Sequence, residues 1–280
     1  MRVHLPSENP ITTLSYLNVP PGGRGPRGER PLEQVELPIL AGTIAELNDD
    51  WDALILASDL QGTLPGEDEP LLLGCALADY LPVVFELYFS EIPLDRVGVL
   101  LCGDLYARPD RRGGLGDVRH VWRAFNEHFA FVAGVAGNHD SFGTADEFAA
   151  FQREAGIYFL NGNIRKIGGM EVGGISGVIG QPGKPNRVAE KDFLAQLKRI
   201  ALKQPDLVLL HEGPSHLSPE QMGNEQISKM LASSPKNTVC CGHNHWPVTL
   251  VETPKGTQVL NLDAKCLILV NEPDGTTKGT

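Results

Sequence analysis

Short apolar runs that stop at polar clusters set the rhythm of this chain. Ala53-Leu54-Ile55-Leu56-Ala57 runs into Ser58-Asp59-Leu60-Gln61-Gly62, Val97–Cys102 into Gly103-Asp104, and Phe129–Ala136 into Gly137-Asn138-His139-Asp140. Further on, Asp206–Leu210 leads to His211, and Thr238–Cys241 to Gly242-His243-Asn244-His245. Unbroken apolar runs of this length, bounded by turn formers, predict buried strands. Between them, Pro70–Phe89 (despite Pro82), 117–128, Asp146–Glu154 and Ala189–Leu202 carry the apolar spacing of helices. Short glycine-punctuated strands are predicted over Ile157–Leu160, Asn163–Ile167, Met170–Val172 and Gly174–Gly177. A hairpin is predicted to pair Val248–Glu252 with Gln258–Leu262 around Pro254-Lys255-Gly256, ahead of a last strand at Lys265–Val270. Strands alternating with helices predict an α/β fold of packed sheets, with its chemistry at the strands' C-terminal ends.

The first 52 residues carry a weaker pattern. Ile11–Leu17 reads as an edge strand, Pro38–Leu47 as a short helix or strand, and Pro20–Gly28 as a loop. That loop is no phosphate cradle, because no strand leads into it and no Gly-Lys-Ser/Thr follows. The chain is therefore expected to divide into an N-terminal extension over 1–52, partly loop and packed on or near the core, and a single domain over 53–280.

Composition adds limits. A chain of 280 residues, 41% hydrophobic, can bury a large core. A net charge of −11 argues against broad binding to nucleic acid or a membrane surface. It does not exclude a phosphate ester, since bound cations can dominate the local field. Cys75, Cys102, Cys240, Cys241 and Cys266 sit in apolar contexts without C-x-x-C spacing, as reduced core thiols do. Without a signal segment or an 18-residue apolar run, the chain is expected to be soluble and cytoplasmic.

Each of the five apolar strands ends in residue types that ligate cations: Asp59 and Gln61, Asp104, Asn138 and His139, His211, and His243 and His245. Two divalent cations about 3.5–4 Å apart repel, and need a bridging carboxylate with nitrogen and oxygen donors to hold them. Rigid strand ends suit that task. Residues at i and i+2 point the same way in extended chain, so Asp59 with Gln61, and His243 with His245, can aim together.

In that order these motifs resemble the calcineurin-like metallophosphoesterases, whose pattern is D-x-H, G-D, G-N-H-D/E, a lone His and G-H-x-H. The likeness covers residues 53 to about 270. It implies a four-layer sandwich, two packed mixed β-sheets flanked by helices. It also implies a dinuclear metal-dependent phosphoesterase that hydrolyses a phosphomonoester or phosphodiester by attack of a metal-bound hydroxide. On that likeness Asp59, Gln61 and His245 would face one metal, Asp104 would bridge both, and Asn138, His211 and His243 would complete the second. His139 would serve the leaving group, with Asp140 orienting it. The cofactors implied are two divalent ions, Mn²⁺ first, with Mg²⁺, Fe, Zn²⁺ or Ni²⁺ as alternatives.

Gln61 departs from the pattern, standing where the family has histidine. An amide oxygen is a harder and weaker donor to transition metals than imidazole, which predicts a weaker first site. Two other functions stay open: a nucleotide or nucleic-acid phosphodiesterase on the same scaffold, and a catalytically weakened binding or scaffold protein. Arg108, Arg111 and Arg112, and Lys184 and Arg187, lie on loops where they could meet phosphate or simply face solvent. Glu212 and Trp246, beside the ligand motifs, are open in the same way.

Overall fold

The computed structural model describes residues 1–20, 32–67, 69–110, 113–215 and 220–272. Most of the glycine-rich loop at 21–28, together with Arg111 and Arg112, lies outside the described residues.

The unbroken apolar runs do become strands, and both of their faces are buried. In Ala53–Ser58, Leu54 and Leu56 point to one side, while Ala53, Ile55 and Ala57 point to the other. The two-residue period of a strand thus feeds two separate cores. Leu54, Leu56, Leu100 and Ala133 meet Val172, Leu207, Leu209, Cys240 and Leu260 of a second sheet. Ile55, Ala57, Val99 and Val132 face the helices α1 (Leu73–Tyr88), α2 (Arg119–His128) and α3 (Ala145–Phe151). On the far face of the second sheet, Val208, Leu210, Val239 and Cys241 pack on α4 (Glu190–Ala201) and α5 (Glu225–Ser233). The result is helix, sheet, sheet, helix: the four layers expected.

The larger sheet has ten strands. Its central run orders Ile157–Phe159, Phe131–Gly134, Val97–Leu101, Ala53–Ser58, Lys265–Asn271, Glu33–Ala45 and Thr12–Asn18. The six-stranded sheet orders Asn163–Ile167, Met170–Ile175, Leu207–Glu212, Thr238–Gly242, Gln258–Asn261 and Leu250–Glu252. Within each sheet the strands that lead to the polar motifs run parallel to one another, so their C-terminal ends share an edge.

Four features differ from expectation. Residues 33–45 form one long strand, paired in parallel with Lys265–Asn271, so the N-terminal segment is part of the larger sheet. Met170–Ile175 is a single strand running through Gly173-Gly174, where two were expected. The strand expected over Phe129–Ala136 is confined to Phe131–Gly134. Helix α5 was not expected at all. All five cysteines are buried and free, as their contexts implied.

Helix α3 opens with a capping box. Thr144 accepts from the backbone N–H of Glu147, whose carboxylate accepts from that of Thr144 at 2.7 Å. Thr144→Ala should lower unfolding free energy by about 1 kcal/mol, read from the urea midpoint. An unchanged midpoint would remove the cap from the account. The Thr144 N–H, helped by Arg119, holds the Glu147 carboxyl down at about 2. A depressed carboxyl stabilises the fold above its ordinary value of 4.5 and stops doing so as pH falls through about 2. Glu147→Gln should therefore flatten the loss of stability across that acid range.

Candidate metal centre

Two sheet edges meet at the predicted motifs, and the joins are hydrogen bonds between motifs. The Asp59 N–H donates to the Gly103 carbonyl at 2.9 Å, and the His243 N–H to Asp59 Oδ2 at 2.9 Å. His211 Nδ1 donates to the Cys102 carbonyl at 2.8 Å, which turns Nε2 towards Asp104 Oδ2, 3.3 Å away. The His139 N–H donates to Asp104 Oδ1 at 2.8 Å.

These turns are strained. Asp59, Asp104 and His243 have φ of 55°, 54° and 69°, in the left-handed region that most side chains avoid. Strain of this kind persists where the surroundings hold it, and it concentrates at functional sites. A Cβ at Gly137 would overlap the Asp104 carboxylate and backbone nitrogen, which leaves no room for any other residue there.

The donor set fits a divalent cation on three counts. Asp104, His211 and His243 each offer a ligand atom, all within 4.8 Å of one another. Asn138 Oδ1 is buried without a hydrogen-bond partner among the described residues, and His211 Nε2 has Asp104 Oδ2 3.3 Å away but outside good hydrogen-bond geometry. Buried polar atoms are rarely left so, and these belong to two residues already predicted to be ligands. The buried charges act on one another as well. Burial pushes the Asp59 carboxyl well up, with Asp263 and Asp104 adding to it against the pull of His211. Burial also acts on Asp104 and His211, but their mutual attraction outweighs it, lowering Asp104 and raising His211 to about 10. His243 is pushed down to about 4 by burial and by His211, which leaves its ring neutral with a lone pair to give. Mixed nitrogen and oxygen donors suit Mn²⁺, Zn²⁺ or Fe²⁺.

The other predicted ligands are placed less favourably. Gln61 donates from Nε2 to Asp104 Oδ2 at 2.9 Å, so its nitrogen, not its oxygen, faces the shared carboxylate. His245 is 66% exposed, with Nδ1 3.1 Å from Asp263 Oδ2.

One expected role must be corrected. Asp140 does not orient His139. Its carboxylate accepts from the backbone N–H groups of Asp104, Leu105 and Gly137 at 2.8, 2.8 and 2.7 Å, so it braces two motif loops against each other. The His139 ring is held instead by Gly114, whose carbonyl lies 2.9 Å from Nδ1, and Nε2 lies 4.0 Å from Asp104 Oδ2. A carboxylate next to histidine in sequence did not signal this, because its three N–H partners are donors any residue carries.

Sequence reasoning also missed Asp263 and Asn186. Asn186 Nδ2 donates to the carbonyls of Gly137 and Asp140, tying the 180–188 loop to the Asn138 motif. Only its place in a Gly/Pro-rich stretch hinted at a turn. Glu212 is occupied with Ile179 N–H and Asn224 Nδ2, and Trp246 is buried with its N–H on the Met222 carbonyl. Both serve the fold. Arg108 pairs with Asp110 at 2.8 Å, whereas Arg187 lies near enough for its charge to lower His243.

The sequence profile of the calcineurin-like phosphoesterases matches residues 54–247. The chain belongs to that family. As a calcineurin-like phosphoesterase it resembles solved structures only distantly. Phosphopantetheinyl hydrolase (PptH) from Mycobacterium tuberculosis is 16% identical, with a TM-score of 0.42 over 81% of this chain and 98% of that one. The sulfate thiohydrolase SoxB of Thermus thermophilus is 14% identical, with a TM-score of 0.39 over 68% and 37%. A comparison with curated proteins finds no match.

Proposed function

We propose that this calcineurin-like phosphoesterase hydrolyses a phosphate ester with two divalent cations held at sites of unequal strength. The observation that carries this reading is Asn138 Oδ1, buried without a hydrogen-bond partner among the described residues, next to a compact cluster in which His211 Nε2 stands 3.3 Å from Asp104 Oδ2. With His243 they make a compact, low-water set for the stronger site. Asp59, Gln61 and His245 would share Asp104 to make the weaker one, because Gln61 must reverse its amide to bring its oxygen to a cation.

Bound cations supply Lewis-acid polarisation and a nucleophile at neutral pH. The chain's own residues do the rest. Asp104 concentrates negative charge between the two sheets, and Asp140 fixes the loop on which Asn138 and His139 stand. His139 presents Nε2 to the departing oxygen. Arg187, whose charge acts on His243, meets the phosphate. Arg187→Ala should raise KM about tenfold with kcat little changed, as loss of one charged contact would. An unchanged KM would return Arg187 to solvent.

The deciding experiment strips the metal and titrates in Mn²⁺, following binding by calorimetry and turnover of bis-p-nitrophenyl phosphate and p-nitrophenyl phosphate. Two classes of site separated by about tenfold or more are expected, with turnover tracking the weaker. Iron held tightly in stoichiometric amount would sink the weak-site reading. Silence on both esters, with one cation bound per chain, would leave a binding protein on an inherited scaffold, the reading favoured by a Gln61 amide that points its nitrogen at Asp104.

A further inference from the structure

A cavity of about 290 Å³ adjoins the metal loop, and the mechanism above makes no use of it. Ala136 and Asp140 of its lining belong to the segment that carries Asn138 and His139, and Asn186 of its lining is hydrogen-bonded to that segment. The rest of its lining differs from the site in chemistry. Phe142, Phe148 and Phe159 form a mutual aromatic set, with ring centroids 5.2, 4.9 and 5.1 Å apart, and Phe148 stands edge-on to Phe159. Leu115, 49% exposed, lines it too, and follows directly the Gly114 that holds the His139 ring. The cavity and the His139 side of the metal cluster are therefore neighbours.

We infer that this cavity is a specificity pocket that takes an uncharged aromatic ring on the leaving-group side of the phosphate ester. The inference rests on the phosphoesterase reading and names its substrate class. Asp140 is the only charged side chain in the lining, and three backbone N–H groups already occupy its oxygens, so a charged occupant finds no partner. Three aromatic rings at stacking and edge distances favour a flat ring over an alkyl chain. Apolar and aromatic walls joined by uncharged polar groups, here Ser141, Thr144, Asn161, Ser176 and Asn186, are the usual make-up of a small-molecule pocket. His139 serves the departing oxygen, so a ring seated beside it belongs to the group that leaves. The net charge of −11 disfavours a polyanionic leaving group in the same sense.

The test uses the Mn²⁺-loaded full chain and two phosphonates that cannot be hydrolysed. Calorimetry should find phenylphosphonate bound about tenfold or more tightly than methylphosphonate, the effect of burying one ring. Phe148→Ala should bring that ratio within about threefold, and the surface change Leu115→Ser should lower it, with methylphosphonate affinity unchanged in both. Leu115→Ser guards against a misfolded Phe148→Ala. A native ratio within about threefold, or one that survives both substitutions, would overturn the pocket. Two failures are told apart by turnover. If the esters are hydrolysed and the ratio is flat, the pocket alone falls. If no ester is hydrolysed and neither phosphonate needs Mn²⁺, the phosphoesterase reading falls and this inference with it.

Discussion

Asn138→Ala should abolish metal-dependent turnover, lowering kcat/KM about a thousandfold or more, while the thermal midpoint moves by no more than about 2 °C. The two halves of that expectation come from one atom. Asn138 Oδ1 is buried without a partner among the described residues, so its removal takes none of their hydrogen bonds and relieves a desolvated acceptor. A residue kept for stability behaves the other way, because its loss leaves a partner stranded. If Asn138 is a ligand, metal affinity must fall together with turnover, and calorimetry with Mn²⁺ reads this directly. Unchanged turnover, or a large thermal loss with metal binding intact, would refute the assignment of Asn138.

Asp140 should show the opposite signature. Asp140→Ala leaves the buried N–H groups of Asp104, Leu105 and Gly137 without their acceptor. Stranded donors of that kind, formerly bonded to a charged group, cost about 3–5 kcal/mol together. Asp140→Asn keeps one oxygen but turns an NH₂ towards at least one backbone donor, and should lose about half as much. Chemical denaturation measures both. The two motif loops come apart with the brace, so Mn²⁺ affinity should also drop. Were Asp140 instead an orienting partner of His139, Asp140→Asn would shift the pH profile of kcat with stability intact. That outcome would restore the role the structure takes away.

Much of the architecture is legible from the apolar runs, and the reason is physical. Strands buried on both faces have no polar face to alternate, so Ala53–Ala57 and Val97–Cys102 stand out as solid apolar blocks. Their C-terminal edge could be read as well, because Asp59, Asp104, Asn138, His211 and His243 follow such blocks directly. The strand Glu33–Ala45 was only half legible. Pro38 interrupts it, and its partner Lys265–Asn271 lies at the opposite end of the sequence. Helix α5 is nine residues long and offered only an Asn224 cap with Ile227 and Leu231 four apart. Gln61 declared itself as a departure, but the direction of its amide belongs to the tertiary neighbourhood. So do Asp140's partners, since a carboxylate's residue type never states whose N–H it will meet.

The placement of Lys265–Asn271 bears on how the molecule is made. This strand lies between Glu33–Ala45 and Ala53–Ser58, in the middle of the larger sheet and not at its margin. A ribosome delivers both flanking strands some 200 residues before the strand that joins them. Until then each exposes an open edge able to pair with another nascent chain, a hazard that chaperones exist to manage. A chain stopped short of residue 265 would hold every proposed metal ligand and still have a split sheet beneath Asp59. The metal cluster is thus completed last, by a strand that contributes no ligand to it.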